Sequence, residues 1–109
     1  MAVNERTLTT KCIKKLRTEA ITNDLPIFVS KIHAGPHQPI GLPDLVGCAW
    51  GIFFGIEMKA PGKERTLTQR QEKKLRDIKK AQGVAAVCTS WNEVWAVMKE
   101  CEALAFEGE

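Results

Sequence analysis

The run IFFGIEMK at residues 52–59 most constrains the fold, because it is strongly hydrophobic and yet ends in a carboxylate and an ammonium. Its β-branched and aromatic residues favour a β-strand. Successive side chains of a strand point to opposite faces, so Glu57 and Lys59 share one face while Met58 points to the other. One face of this strand must therefore lie against a core, while its charged end stands at the border of that core.

A second acid precedes this strand. Asp44 lies in LPDLV (42–46), which predicts the beginning of another strand, and the five residues GCAWG (47–51) predict a hairpin loop. An antiparallel hairpin brings Asp44 within a cross-strand spacing or its diagonal of Glu57, roughly 5–8 Å. Two carboxylates and Lys59 are then expected to converge at one edge of the sheet.

This grouping suits a hard cation. Mg²⁺ prefers oxygen ligands and commonly takes one or two protein carboxylates together with waters and substrate phosphate. A cation held in this way can polarise a phosphodiester and activate water, and Lys59 can neutralise charge that develops on the phosphate. The backbone carbonyl of Met58 is a further candidate ligand. The alternative is a cross-strand salt bridge on a solvent-facing sheet, an arrangement that is common and weakly stabilising.

A helix is predicted over residues 5–20, where apolar residues recur every four positions. Glu5 lies three residues before Leu8 and therefore on the apolar side of this helix. Its carboxylate either interacts with the helix dipole and cap or reaches the sheet edge as a third acid. Glu19 lies on the same stripe and competes with Glu5 for the second role.

A second helix is predicted to begin at Thr68, since Thr68 and Gln71 match the capping-box pattern, and to end at Gly83. Gln71 stands at the head of the apolar stripe of this helix, so it can cap the helix and also touch the acidic site. VAAVCT (84–89) predicts a further strand, and a last helix follows it. With a strand over LPIFVSKI (25–32), the element order is α-β-β-β-α-β-α.

Length and composition indicate one domain, residues 1–109. The chain has no apolar run long enough for a membrane span and no apolar N-terminal segment typical of a signal peptide. The cysteines form no CxxC pair, so neither a zinc site nor a disulfide framework is predicted, and we expect buried free thiols at Cys12, Cys48, Cys88 and Cys101. Such thiols indicate a reducing cytoplasm, bacterial or of a virus-infected host cell.

Basic residues are concentrated in the middle of the chain. Residues 59–80 carry nine Lys or Arg against three Asp or Glu, which indicates a surface that faces a polyanion, although a solvated helix face is an equal alternative. Cations of this kind position a duplex by its phosphates without reading its sequence. The expected DNA contacts are Lys31, His33, Lys63, Arg65, Arg70, Lys73 and Lys74.

GLPDL followed by IEMK, in this element order, resembles the PD-(D/E)xK nuclease superfamily. KIHAG, LTQRQ and QGVAAVCTS add a closer resemblance to the virus-type replication-repair nuclease (VRR-NUC) family, over roughly residues 5–100. The resemblance implies an α/β fold, with a restriction-endonuclease-like αβββαβ core, a mixed central sheet and a C-terminal helix. It implies an endodeoxyribonuclease that depends on Mg²⁺ or Mn²⁺. By this resemblance, Asp44, Glu57 and Lys59 match the catalytic residues of the family. Glu5 matches its N-terminal acid, and Gln71 matches its helix glutamine.

Minimal members of this family resemble homodimeric junction-resolving enzymes. The resemblance therefore implies a homodimer that acts on branched or four-way-junction DNA with low sequence specificity and without a small-molecule cofactor. The aromatic side of the last helix, Trp91, Trp95 and Met98, is either a dimer face or part of the core. The functional alternative is a non-catalytic nucleic-acid-binding domain that keeps the fold as a scaffold. A broken set of catalytic residues would favour it, and here the set is intact.

Overall fold

The computed structural model describes residues 4–33, 35–37 and 39–107 of the chain. Its elements follow the predicted order, which is thereby confirmed: α1 (Glu5–Thr22), β1 (Ile27–Lys31), β2 (Leu45–Ala49), β3 (Ile52–Met58), α2 (Gln69–Lys80), β4 (Val84–Cys88) and α3 (Trp91–Glu107). Among the helices described, none is both long and apolar enough to cross a membrane.

The four strands form one mixed sheet in the order β1-β2-β3-β4. β1, β2 and β3 pair antiparallel, whereas β3 and β4 pair parallel. The parallel pair requires a crossover, and α2 supplies it. α1 and α3 pack on one face of the sheet and α2 packs on β3 and β4. The chain is thus an α/β domain, compatible with an αβββαβ core followed by a C-terminal helix.

The hairpin between β2 and β3 is tighter than predicted. The prediction of a five-residue loop over 47–51 is wrong, because β2 continues through the first three of these residues. The turn consists of Trp50 and Gly51, which have φ values of 51° and 80° and so match a two-residue hairpin turn. The small residues misled the prediction. A Cβ at Gly47 would overlap the carbonyl oxygen of Phe28, so this glycine marks a close approach of strands instead of a loop.

β3 buries one face from Phe54 onward, and this fixes the position of its polar end. Phe54, Ile56 and Met58 are 0% exposed and belong to the core cluster shared with α1 and α3, so the predicted alternation of this strand is confirmed. Each such side chain stabilises the fold by about 1.5–3 kcal/mol when fully buried. Glu57 lies between Ile56 and Met58 in the chain, so its side chain points to the opposite face of the strand.

The aromatic side of α3 belongs to the core. Met98 is 0% exposed, and Trp91 and Trp95 pack against the core cluster with their ring centroids 5.6 Å apart. The core interpretation of these three residues is therefore confirmed. Lys15 of α1 places its Nζ 4.9 Å from the centroid of the Trp91 ring.

Part of the other sheet face is left without a helix. Phe28, Cys48 and Phe53 are cross-strand neighbours there, and the two phenylalanines are 68% and 48% exposed. The prediction of four buried thiols is wrong for Cys48, which is exposed because α2 covers only β3 and β4. The other three cysteines are buried and free, as expected: Cys12, Cys88 and Cys101.

Candidate metal centre

Three carboxylates from three separate elements meet at one edge of the sheet. Glu5 is the first residue of α1, Asp44 precedes β2 and Glu57 lies in β3. One oxygen of each lies within 4.8 Å of the others. Like charges this close repel one another, so a cation among the three carboxylates would stabilise the arrangement. The arrangement therefore provides a place for positive charge.

Asp44 is held by both neighbouring strands. It stands one step beyond the Leu45–Ile56 pair of the β2–β3 ladder, which places it opposite Glu57. Its Oδ2 accepts a hydrogen bond from the Met58 backbone N–H at 2.8 Å, and its backbone carbonyl accepts one from Ile32 N–H at 2.8 Å. The side chain thus replaces a rung of the ladder at the point where β2 has not yet begun.

Glu57 is the most deeply buried of the acids, with 2% of the residue exposed. Its Oε1 accepts a hydrogen bond from Gln71 Nε2 at 3.3 Å, whereas its Oε2 is buried and has no partner among the described residues. Burial, followed by the negative charge of the nearby Asp44, raises the pKa of Glu57 to about 8. Lys59 acts against this shift and Glu5 adds to it. A buried acceptor without a partner is costly, so this oxygen is suited to an incoming ligand.

Gln71 performs both roles expected of it. Its Oε1 accepts from Thr68 N–H at 3.0 Å and its own N–H donates to Thr68 Oγ1 at 3.1 Å, which completes the predicted capping box. The other end of the same amide donates to Glu57. Gln71 therefore links the cap of α2 to the Glu57 carboxylate.

Glu5, and not Glu19, belongs to the cluster. Asn4 caps α1 by accepting from Arg6 N–H at 2.8 Å, which begins the helix beside the sheet edge. Glu5 then occupies the first turn. Glu19 lies about 21 Å farther along the helix at 1.5 Å per residue, and its carboxylate accepts from Asn23 Nδ2 at 2.8 Å.

Lys59 follows β3 directly and is 9% exposed. Its backbone N–H donates to Cys88 O at 3.0 Å and so extends the parallel ladder past the end of the strand. Ion pairs in the described part of the chain are confined to Lys73–Asp77 and Lys99–Glu102. The alternative of a solvent-facing salt bridge at the acids is therefore wrong, since Glu57 and Lys59 are buried and neither forms an ion pair.

The donor set suits Mg²⁺ or Mn²⁺. The carboxylates offer hard oxygen ligands, and the unpartnered oxygen of Glu57 is an acceptor aimed into the cluster. In a strand the N–H and the carbonyl of one residue point to the same side. Since the N–H of Met58 points to Asp44, its carbonyl faces the side of the cluster as well. The residues present thus fit a hard divalent cation.

The acids open to solvent through two clefts. One, of about 320 Å³, is lined by Asp44, Glu57, Gln71 and the loop that includes Gly41. A Cβ at Gly41, where φ is 91°, would lie 2.7 Å from the carbonyl oxygen of Arg70, so this loop packs closely on the start of α2. The other cleft, of about 390 Å³, is lined by Asn4, Glu5, Arg6, Thr9, Lys31 and Asp44.

The predicted DNA contacts lie at different distances from this centre. Lys31 lines the second cleft with the acids, whereas His33 is exposed just after β1 and lines neither. Lys74 is half-buried at a separate, largely apolar pocket of about 320 Å³ beside Phe53 and Ile78. The remaining four are exposed in the loop before α2 or on α2 itself: Lys63, Arg65, Arg70 and Lys73.

Sequence reasoning missed Arg6, which lines the second cleft together with Glu5 and Asp44. Basic residues are most frequent in 59–80, and that segment does not include Arg6. The one signal for Arg6 in the sequence is that it is the next residue after Glu5, the candidate acid of α1.

No family model matches this chain, and no curated protein matches it. The interpretation of its function therefore depends on the fold, the site and the motifs.

Proposed function

We propose that this protein is a metal-dependent DNA endonuclease of the PD-(D/E)xK type, related to the VRR-NUC family. The observation that carries the proposal is the meeting of Glu5, Asp44 and Glu57 within 4.8 Å, with one oxygen of Glu57 buried and unpartnered. Such a cluster disfavours folding unless a bound cation compensates for the burial and the repulsion. The motif resemblance supports the same assignment.

Each residue of the centre has a role that follows from its contacts. The three carboxylates and the Met58 carbonyl would hold the cation, and Gln71 orients Glu57 by its hydrogen bond. A divalent cation bound there would polarise the scissile phosphate and lower the pKa of water. Lys59 brings a positive charge to the same edge, where it stabilises the additional negative charge of the reacting phosphate.

The distribution of cations supports a nucleic-acid substrate. Lys31 and Arg6 line a cleft together with Glu5 and Asp44, so a phosphate in this cleft would lie near positive charge as well as near the carboxylates. Lys63, Arg65, Arg70 and Lys73 are exposed and extend the same charge over the neighbouring loop and the first half of α2. Side chains of this type contact phosphates and sugars, so we expect low sequence specificity. The preference for branched DNA rests on the resemblance.

We also propose a homodimer, which the resemblance implies. Phe28, Cys48 and Phe53 form an exposed row without charge on the part of the sheet that α2 leaves open. Two copies can bring this face together about a twofold axis without repulsion between like charges. Light scattering on the purified protein, with Phe53→Ser as the variant, tests this arrangement. A monomer at all concentrations would contradict it.

The nuclease proposal is tested with supercoiled plasmid and a four-way junction, each incubated with Mg²⁺ or Mn²⁺. We expect the wild-type protein to cleave, and Glu57→Ala and Lys59→Ala to bind DNA and fold but not to cleave. Wild-type cleavage that persists in excess EDTA would exclude the metal mechanism. Binding without nicking of either substrate with both metals would favour the alternative, a non-catalytic binding domain.

A further inference from the structure

The exposed side of α1 carries cations, of which only Arg6 has a part in the proposed function. Arg6, Lys11 and Lys14 are exposed, and with Thr7 and Thr10 they line a depression of about 470 Å³. We refer to Arg6, Lys11 and Lys14 as the α1 cationic face. Arg6 also lines the cleft that contains Glu5 and Asp44. The α1 cationic face is therefore continuous with the acidic centre.

The charge of this face is not neutralised within the part of the chain that the structure describes. Both ion pairs found there lie on α2 and α3. The other two cations of α1 make contacts with the protein, since Arg17 donates to Val29 O at 3.2 Å and Lys15 lies over Trp91. The acids of α1 lie elsewhere, Glu5 in the cluster and Glu19 bonded to Asn23.

We propose that the α1 cationic face binds the sugar-phosphate backbone of the DNA strand that passes through the acidic centre. This inference rests on the proposed function. Arg6 and Lys14 are eight residues apart, or about 12 Å along the helix axis. At an axial rise of about 3.4 Å per nucleotide, this length corresponds to roughly three or four nucleotides. Lysine, arginine and threonine are the side chains that commonly contact phosphates.

Anionic lipid is the competing partner for such a helix, and the packing of α1 argues against it. A helix that binds in the membrane interface inserts a broad apolar face. The apolar face of α1 is already occupied, because Cys12 and Leu16 are 0% exposed in the core. The helix can offer a membrane its charges but not its apolar side, whereas a nucleic acid needs only the charges.

The test compares Lys11→Ala/Lys14→Ala with the matched control Lys79→Ala/Lys80→Ala at the exposed end of α2. Both pairs remove two positive charges, so an effect of net charge alone is the same in both. Binding is measured by fluorescence anisotropy on a labelled duplex and a four-way junction, at several salt concentrations, with Ca²⁺ in place of Mg²⁺. The α1 pair is expected to reduce the slope of log K against log salt by about 2, equally on both DNAs, and to weaken binding roughly tenfold at low salt. The control is expected to change both quantities much less.

The outcomes separate this inference from the nuclease proposal. A slope for the α1 pair equal to that of the control would overturn the inference even if the wild-type protein cleaves. A wild-type protein that binds but never cleaves, with binding that depends on Lys11 and Lys14, would leave the inference standing and remove the nuclease proposal. Sedimentation with phosphatidylserine vesicles that is lost in the α1 pair, while DNA binding is kept, would overturn it in favour of a lipid surface. Circular dichroism of each variant checks the fold.

Discussion

The backbone N–H of Met58 donates a hydrogen bond to the carboxylate of Asp44 over 2.8 Å. One acid thus joins two strands and also belongs to the carboxylate cluster. A carboxylate accepts several hydrogen bonds or ligands at once, so these two uses are compatible. The roles can be separated by substitutions that keep one and remove the other.

Asp44→Asn and Asp44→Ala form such a pair. The asparagine keeps an oxygen that accepts from Met58 and removes the charge beside Glu57, so we expect this variant to be at least as stable as the wild-type protein without metal. The alanine leaves the Met58 N–H without a partner, which costs about 1–3 kcal/mol. Both are expected to lose cleavage. Urea unfolding in EDTA, followed by plasmid nicking in Mn²⁺, measures the two effects. Equal stabilities for the two variants would show that the hydrogen bond does not matter.

The raised pKa of Glu57 predicts a pH-dependent stability of the metal-free protein. The folded protein keeps the proton of this group up to about pH 8, whereas the unfolded chain releases it near 4.5. The associated stability is therefore complete below 4.5 and is lost as the pH rises through about 8. The free energy of unfolding should fall by up to about 1.4 kcal/mol per pH unit in this window. Glu57→Gln is neutral throughout and should flatten the profile. Thermal unfolding in EDTA at pH 5 to 8.5 checks this, and parallel profiles for both proteins would contradict it.

The same proton competes with the metal. A carboxylate ligand must be deprotonated, so binding of Mn²⁺ has to displace the proton of Glu57. We expect the affinity for Mn²⁺ to rise up to tenfold per pH unit below about pH 8 and then to level off. Calorimetry in buffers with different ionisation enthalpies measures the released proton directly. An affinity that does not vary with pH in this range would mean that Glu57 is not a ligand.

The part of the site that follows local rules could be predicted from the sequence. The alternation of side chains along β3 places Glu57 and the buried Met58 on different faces of the strand. The spacing of Thr68 and Gln71 identifies the cap of α2. Both rules act over a few residues and depend little on the rest of the fold. The convergence of Asp44 with Glu57 follows from the predicted hairpin, although the predicted loop begins earlier in the chain than the turn at Trp50 and Gly51.

The features of the site that depend on packing between elements could not be predicted from these local rules. The apolar stripe of α1 contains two acids, Glu5 and Glu19, and only the docking of the helix on the sheet determines which one reaches the cluster. The exposure of Cys48 likewise depends on how far α2 extends across the sheet. The place of Arg6 in the second cleft also depends on how α1 docks beside the sheet edge.

Thr68→Ala and Gln71→Glu separate the cap of α2 from the contact with Glu57. Thr68→Ala removes the side chain that accepts from Gln71 N–H and should cost about 1 kcal/mol of stability while cleavage is largely kept. Gln71→Glu keeps a residue suited to the capping box but loses the amide that donates to Glu57, and it adds a fourth carboxylate to the cluster. We therefore expect stable protein, a lower cleavage rate and a pH optimum shifted upward, since the added charge holds the proton on Glu57 more tightly. Cleavage rates over pH 6 to 9 and urea unfolding measure both variants. If Thr68→Ala impaired cleavage as much as Gln71→Glu, the contribution of Gln71 would be that of a cap alone.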